Sequence, residues 1–115
     1  MNLNDVLNEV INDAIGIGFP ISESLERHIY LDKQRYDRVG ACYRYPYPEK
    51  YEIHLSEDVI RADISEIKNI IAHEVLHSYF LSMNHGLMWS TYRDLMNTRY
   101  KYNIQIKYSW RQILK

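Results

Sequence analysis

Leu3, Val6, Leu7, Val10, Ile11, Ala14 and Ile15 recur at three- and four-residue intervals, the spacing that keeps apolar side chains on one helix face. They predict an amphipathic first helix that stops near Gly16 and Gly18, with Pro20 beyond. Ser22 to Arg27 reads as a further short turn of helix. The period then changes. His28-Ile29-Tyr30-Leu31 and Val39-Gly40-Ala41-Cys42-Tyr43-Arg44-Tyr45 read as strands. Pro46-Tyr47-Pro48-Glu49-Lys50 reads as a turn, because two prolines cannot continue a ladder. Tyr51-Glu52-Ile53-His54-Leu55 alternates and reads as the returning strand. Together these predict a small antiparallel sheet of about three strands. Asp63-Ile64-Ser65-Glu66 has the spacing of a capping box, so a long helix should run from about Ile64 to Ser82, broken by Asn84 and Gly86. Leu87 to Asn97 reads as a third helix with Met88, Trp89, Tyr92, Leu95 and Met96 on one face. Tyr102 to Ile106 alternates again, as a short strand or an extended tail. The layout is α+β.

Composition narrows the classes. The chain has 115 residues, which suits one domain spanning 1–115. With 46% apolar and 25% charged residues, it is not a disordered tail. No run of ~18 apolar residues is present, which excludes a membrane-spanning helix, and no apolar signal core follows the polar first residues. Cys42, the single cysteine, excludes an internal disulfide framework and a cysteine zinc ribbon, and a reducing, cytoplasmic compartment is expected. In a strand, Cys42 reads as a small core residue.

Charge is uneven. Residues 1–92 balance to −6 and residues 93–115 to +5. In the second stretch Tyr100, Tyr102, Tyr108 and Trp110 alternate with Arg and Lys, a combination that binds single-stranded nucleic acid by phosphate contact and base stacking. The plainer reading, a solvated end that offsets an acidic body, is favoured.

The chemistry lies in His73-Glu74-Val75-Leu76-His77. Histidines at i and i+4 share a helix face, and their imidazoles can converge on one ion at ~2.0–2.1 Å. Glu74 projects beside them, where it can reach a water at the ion without ligating it. This is the HExxH arrangement. Two histidines and a glutamate on or near the core-facing side of an Ile/Leu/Val-rich helix are costly unless paired or metal-bound.

A catalytic zinc needs a third protein ligand and an open position. No Glu follows His77, which excludes a glutamate ligand from a later helix. A third His six residues after the second is excluded too, because position 83 is Met. Two candidates remain. His85 sits in the helix break Asn84-His85-Gly86, where a glycine permits a sharp return. Asp94, inside the third helix, suits an outer role, accepting a ligand imidazole N–H. His85 is favoured. His28 and His54, in strands, read as structural, and Met83, Met88, Met96 and Trp89 as core.

The run Ile70-Ile71-Ala72-His73-Glu74-Val75-Leu76-His77, followed by Met83-Asn84-His85-Gly86-Leu87-Met88-Trp89, resembles the SprT-like metallopeptidase family. That pattern is HExxH on one helix, then His-Gly with an aromatic three residues after the Gly. Val39 to Cys42 and Tyr51 to Ser56 are similar to the family's strand pair, and Tyr100 to Ile104 to its closing segment. The resemblance covers about residues 38–104. It implies a compact, zincin-like fold: an N-terminal helix, the small sheet, the HExxH helix and a following helix. It also implies Zn2+ held by His73, His77 and His85, Glu74 as catalytic base, and a protein or peptide substrate. Larger relatives of the Spartan type cut proteins crosslinked to DNA, but this chain lacks their C-terminal cysteine ribbon. A tyrosine hydroxyl is expected to stabilise the oxyanion, with Tyr43, Tyr45, Tyr79 and Tyr92 as candidates. The competing functions are a zinc-stabilised binding module without proteolysis and an autoinhibited protease.

Overall fold

The computed structural model describes residues 2–33 and 38–113. Helix α1 (Leu3–Gly16) opens at Asn2, whose side chain accepts from the N–H groups of Asn4 and Asp5. It buries Val6, Leu7, Val10, Ile11 and Ala14, the face its periodicity predicts. Its end is a Schellman turn. Gly18 takes φ +87°, and the N–H groups of Gly18 and Phe19 bond back to the carbonyls of Ile15 and Ala14, both at 3.0 Å. The helical turn expected at Ser22–Arg27 is absent. Ser22 Oγ accepts from the Ser24 N–H at 3.0 Å, and Leu25 already begins strand β1 (Leu25–Asp32).

Strands β2 (Gly40–Pro46) and β3 (Glu49–Ser56) form the expected antiparallel hairpin about Tyr47 and Pro48. The sheet has three strands in the order β1-β3-β2, with β1 parallel to β3. It is therefore mixed, whereas antiparallel pairing throughout was expected. The direction of β1 follows from the connection. The chain leaves β1 at Asp32, opposite Ser56, and enters β2 at Gly40, opposite Leu55. Both strand ends thus lie beside the Ser56 end of β3, on its two sides. Arg38 and Val39 precede β2 there, and the Val39 carbonyl accepts from the Ser56 N–H at 2.9 Å.

A 3-10 turn (Glu57–Arg61) leads to helix α2 (Ile64–Val75). Asp63 is its N-cap in extended conformation, but its side chain makes no capping bond. Ile67, Ile70 and Ile71 of α2, Ile53 and Leu55 of β3, and Leu7 and Ile11 of α1 are all fully buried in one core. Helix α2 is shorter than expected. After Val75 the hydrogen bonding tightens, with the His77 N–H bonding Glu74 O at 3.0 Å. The Ser78 hydroxyl also donates to the Val75 carbonyl, a local competitor for the helical ladder. A 3-10 turn (Phe80–Ser82) follows, then helix α3 (Leu87–Tyr100), which runs a turn beyond expectation to Lys101 at φ 60°.

Residues 101–109 form the extended tail rather than a ladder strand. Side-chain amides satisfy its backbone. Asn97 Oδ1 accepts from the Ile104 N–H at 2.8 Å, and Asn69 Oδ1 from the Asn103 N–H at 3.0 Å. The segment is so pinned across α2 and α3 and ends in the short helix α4 (Trp110–Ile113). Among the described residues, no helix is long and apolar enough to cross a membrane.

Candidate metal centre

His73 lies in the last turn of α2, His77 in the turn just beyond it, and His85 in the loop before α3. Their ligand atoms all lie within 4.8 Å of one another. His85 Nε2 is 3.0 Å from His77 Nε2 and 3.1 Å from His73 Nε2. The outer nitrogens fix the tautomers. His73 Nδ1 donates to Gln105 O at 2.7 Å and His77 Nδ1 to Ser82 O at 2.9 Å. A carbonyl only accepts, so each Nδ1 carries the proton and each Nε2 turns a lone pair inward. A proton on His85 Nε2 can bridge to one of the two facing nitrogens and leaves the other opposed. A cation at the centre satisfies all three.

The donor set fits zinc. Tetrahedral bonds of ~2.0–2.1 Å put nitrogens about 3.3 Å apart, and His85 Nε2 stands within a few tenths of an ångström of that spacing from both His77 and His73. Burial pushes the His73 ring down to about 3, with the neighbouring imidazoles adding to the effect and the Gln105 carbonyl opposing it. Burial likewise lowers His77 to about 4, against the Ser82 carbonyl, and lowers His85. All three rings are therefore neutral near pH 7, the form that ligates. His73 and His77 are buried and His85 is exposed, so the centre opens to solvent on the His85 side.

Trp89, fully buried, walls the centre. Its indole N–H donates to His73 O at 3.2 Å, and its ring stacks on His77 with centroids 5.4 Å apart. Gly86, at φ −77°, is not in the left-handed region. Its service to the turn is space, because a Cβ there would fall 2.7 Å from Asn84 Oδ1, the atom that accepts the Gly86 N–H. Asp94 is outside the centre. Its side chain is 66% exposed and pairs with Arg93 at 2.9 Å. The outer role considered for it falls to the carbonyls of Gln105 and Ser82, which carry no signal in a sequence.

Glu74 brings its Oε2 up to Gly40 of β2. A Cβ on Gly40 would sit 3.3 Å from Glu74 Oε2, 3.3 Å from Ile70 Cγ2 and 3.2 Å from His54 O. The bare glycine makes room for the carboxyl, and a glycine inside a predicted strand is the sequence signal for such an approach. Burial pushes Glu74 up to about 8, opposed by the nearby Arg38 guanidinium. Cys42, half-buried on β2 and packed against the core, is raised by burial and by Glu74.

A cleft of about 180 Å³ opens over these groups. It is lined by Arg38, Val39 and Gly40 at the start of β2, Ile106, Lys107 and Tyr108 of the tail, and His73 and Glu74 of α2. Among the described residues, Tyr108 is the tyrosine at this cleft. Of those singled out from sequence, Tyr43 packs edge-on against His54, Tyr79 against Phe80 and Tyr92 against Phe19, and Tyr45 is exposed. No local pattern marks Tyr108, because the fold-back of the tail places it. Elsewhere in the tail, Tyr102 is buried with its hydroxyl on Asp13 at 2.7 Å, and Trp110 packs against the core. His54 bonds Asp32 and Glu52, each at 2.9 Å, and ties β1 to β3 away from the centre.

No protein-family model matches the chain, and neither a curated protein nor a solved structure matches it. The case for a function therefore stands on the centre itself: a compact zincin-like arrangement in which three imidazoles of an HExxH-type motif and its loop converge beside a buried glutamate.

Proposed function

We propose that the chain is a zinc-dependent endopeptidase, one SprT-like metallopeptidase domain over residues 1–115, with His73, His77 and His85 as ligands and Glu74 as general base. The observation that carries this reading is the convergence of three Nε2 atoms, two of them with lone pairs turned inward by carbonyls, beside the buried carboxyl of Glu74. A purely structural ion has no use for a base at that place.

Bound zinc would supply Lewis-acid polarisation of a scissile carbonyl and activation of water near neutral pH. The chain supplies the rest. Glu74 lines the cleft together with His73, its Oε2 toward Gly40; as general base it would take a proton from water there and return it to the leaving amine. Burial alone keeps this carboxyl protonated up to about pH 8; a cation at the centre would oppose that shift and favour the charged form that accepts a proton. Strand β2 is an edge strand, paired only with β3 among the described residues. Its outer backbone groups can hold an extended peptide by strand addition, alongside the cleft that Gly40 lines.

The test is elemental analysis joined to a protease assay on unfolded casein, with wild type and Glu74→Gln side by side. The proposal expects one zinc per chain in both and cleavage only in wild type. Zinc without cleavage in either would favour a zinc-stabilised binding module.

A further inference from the structure

We infer that the cleft carries an anion subsite formed by Arg38 and Lys107, and that it selects peptides with a carboxylate side chain beside the scissile bond. This rests on the peptidase reading and names its substrate class. The two cations approach from unrelated parts of the chain. Arg38 stands just before β2, and Lys107 lies in the extended tail that returns over α2. Both line the same cleft, together with His73 and Glu74. Neither can ligate zinc or act as the base, and Arg38 also acts electrostatically on Glu74.

The surroundings sharpen the point. Residues 1–92 balance to −6, yet among the described residues the acid lining this cleft is Glu74 alone, set back against Gly40. The mouth is therefore cationic in an acidic body. Arg38 Nη1 also donates to the Tyr43 hydroxyl at 3.3 Å, which holds the guanidinium on the β2 side. A peptide laid along the open edge of β2 passes Arg38 as it reaches the cleft. A carboxylate there can take charge-assisted bonds from the guanidinium and from the Lys107 ammonium. Exposed Ile106, next to Lys107, adds an apolar surface for the stem of a glutamate.

The experiment uses the zinc-loaded chain and quenched fluorescent peptides with Glu, Gln or Lys at each position flanking the cut. At one position, kcat/KM for Glu should exceed that for Gln by at least about 10-fold, with Lys slower still and the preference shrinking as salt rises. The double variant Arg38→Glu/Lys107→Glu, checked for unchanged zinc content, should prefer Lys. Equal rates for all three peptides in wild type, or a preference for Glu that survives the double variant, would overturn the subsite. Should no peptide be cut, the peptidase reading fails and the subsite is still read by anisotropy. Zinc-loaded Glu74→Gln protein should then bind a fluorescein-labelled Glu peptide about 10-fold more tightly than its Gln counterpart, and the charge reversal should abolish this. Equal binding would overturn the subsite. So would tighter binding of a single-stranded oligonucleotide lost in the same double variant, which would assign the cations to nucleic acid.

Discussion

Replacing Gly40 by alanine separates catalysis from metal binding with one methyl group. The new Cβ would meet three atoms at 3.2–3.3 Å: His54 O, Glu74 Oε2 and Ile70 Cγ2. The first is backbone of the central strand β3 and cannot retreat without disturbing the ladder. Ile70 is fully buried. The carboxyl of Glu74 is the partner free to move, so the strain is expressed as displacement of the proposed base. Overpacking of this kind costs about 1–3 kcal/mol, offset by about 0.4–1 kcal/mol from the stiffer unfolded chain. Gly40→Ala should therefore cost about 0–2.6 kcal/mol net and lower Tm by up to about 10 °C. Turnover should fall as well, by less than the about 100-fold of a full 1 Å misplacement, because the carboxyl need yield only a few tenths of an ångström, while zinc stays at one per chain. Gly18→Ala is the matched control. Nothing lies within 4 Å of its Cβ, but its φ is +87°, so it should cost about 1–2 kcal/mol of stability and leave kcat unchanged. Thermal unfolding, zinc stoichiometry and kcat on one peptide read all three effects. Full turnover in Gly40→Ala, or equal loss of turnover in both variants, would refute the placement of Glu74.

Glu74→Gln should retain zinc and lose about 10²–10⁴-fold in kcat, the usual worth of a general base, read in the same assay. His85→Ala should weaken zinc binding far more than Asp94→Asn in competition with a chromophoric chelator. The exposed Asp94, paired with Arg93, should give no measurable change. In metal-free protein, His73 and His77 titrate near 3 and 4 against about 6.5 when unfolded. Their contribution to stability is complete above pH 6.5 and is lost as the pH falls through 4 and then 3. Glu74, raised from 4.5 to about 8, acts oppositely. Its contribution is present below pH 4.5 and is lost as the pH rises through 8, so melts in chelator should show Tm declining on both sides of an intermediate optimum.

Patterns that act within a few residues are legible in the amino-acid sequence itself. The apolar face of α1 and its glycine stop are local, because helix periodicity and a left-handed Gly18 need no distant partner. The β2–β3 hairpin is local for the same reason, set by alternation on either side of Pro46 and Pro48. The HExxH spacing brings His73 and His77 to one side of a helix end by geometry alone, and the break at Asn84-His85-Gly86 points to a third imidazole. What only the tertiary structure decided involves groups far apart in the chain. The parallel seating of β1 against β3 pairs residues more than twenty positions apart, and strand direction leaves no mark in the strand's own residues. The end of α2 at Val75 is set by competing bonds from Ser78 and by the 3-10 turn that carries the Ser82 carbonyl under His77. The acceptors that orient the imidazoles are main-chain oxygens of Ser82 and Gln105, which every residue possesses. Asn69 and Asn97 deliver the second of these by pinning the tail. Tyr108, Lys107 and Arg38 meet at one cleft because two segments about seventy residues apart return to the same face of α2. Their types are plain in the sequence, but their common address is a property of the fold.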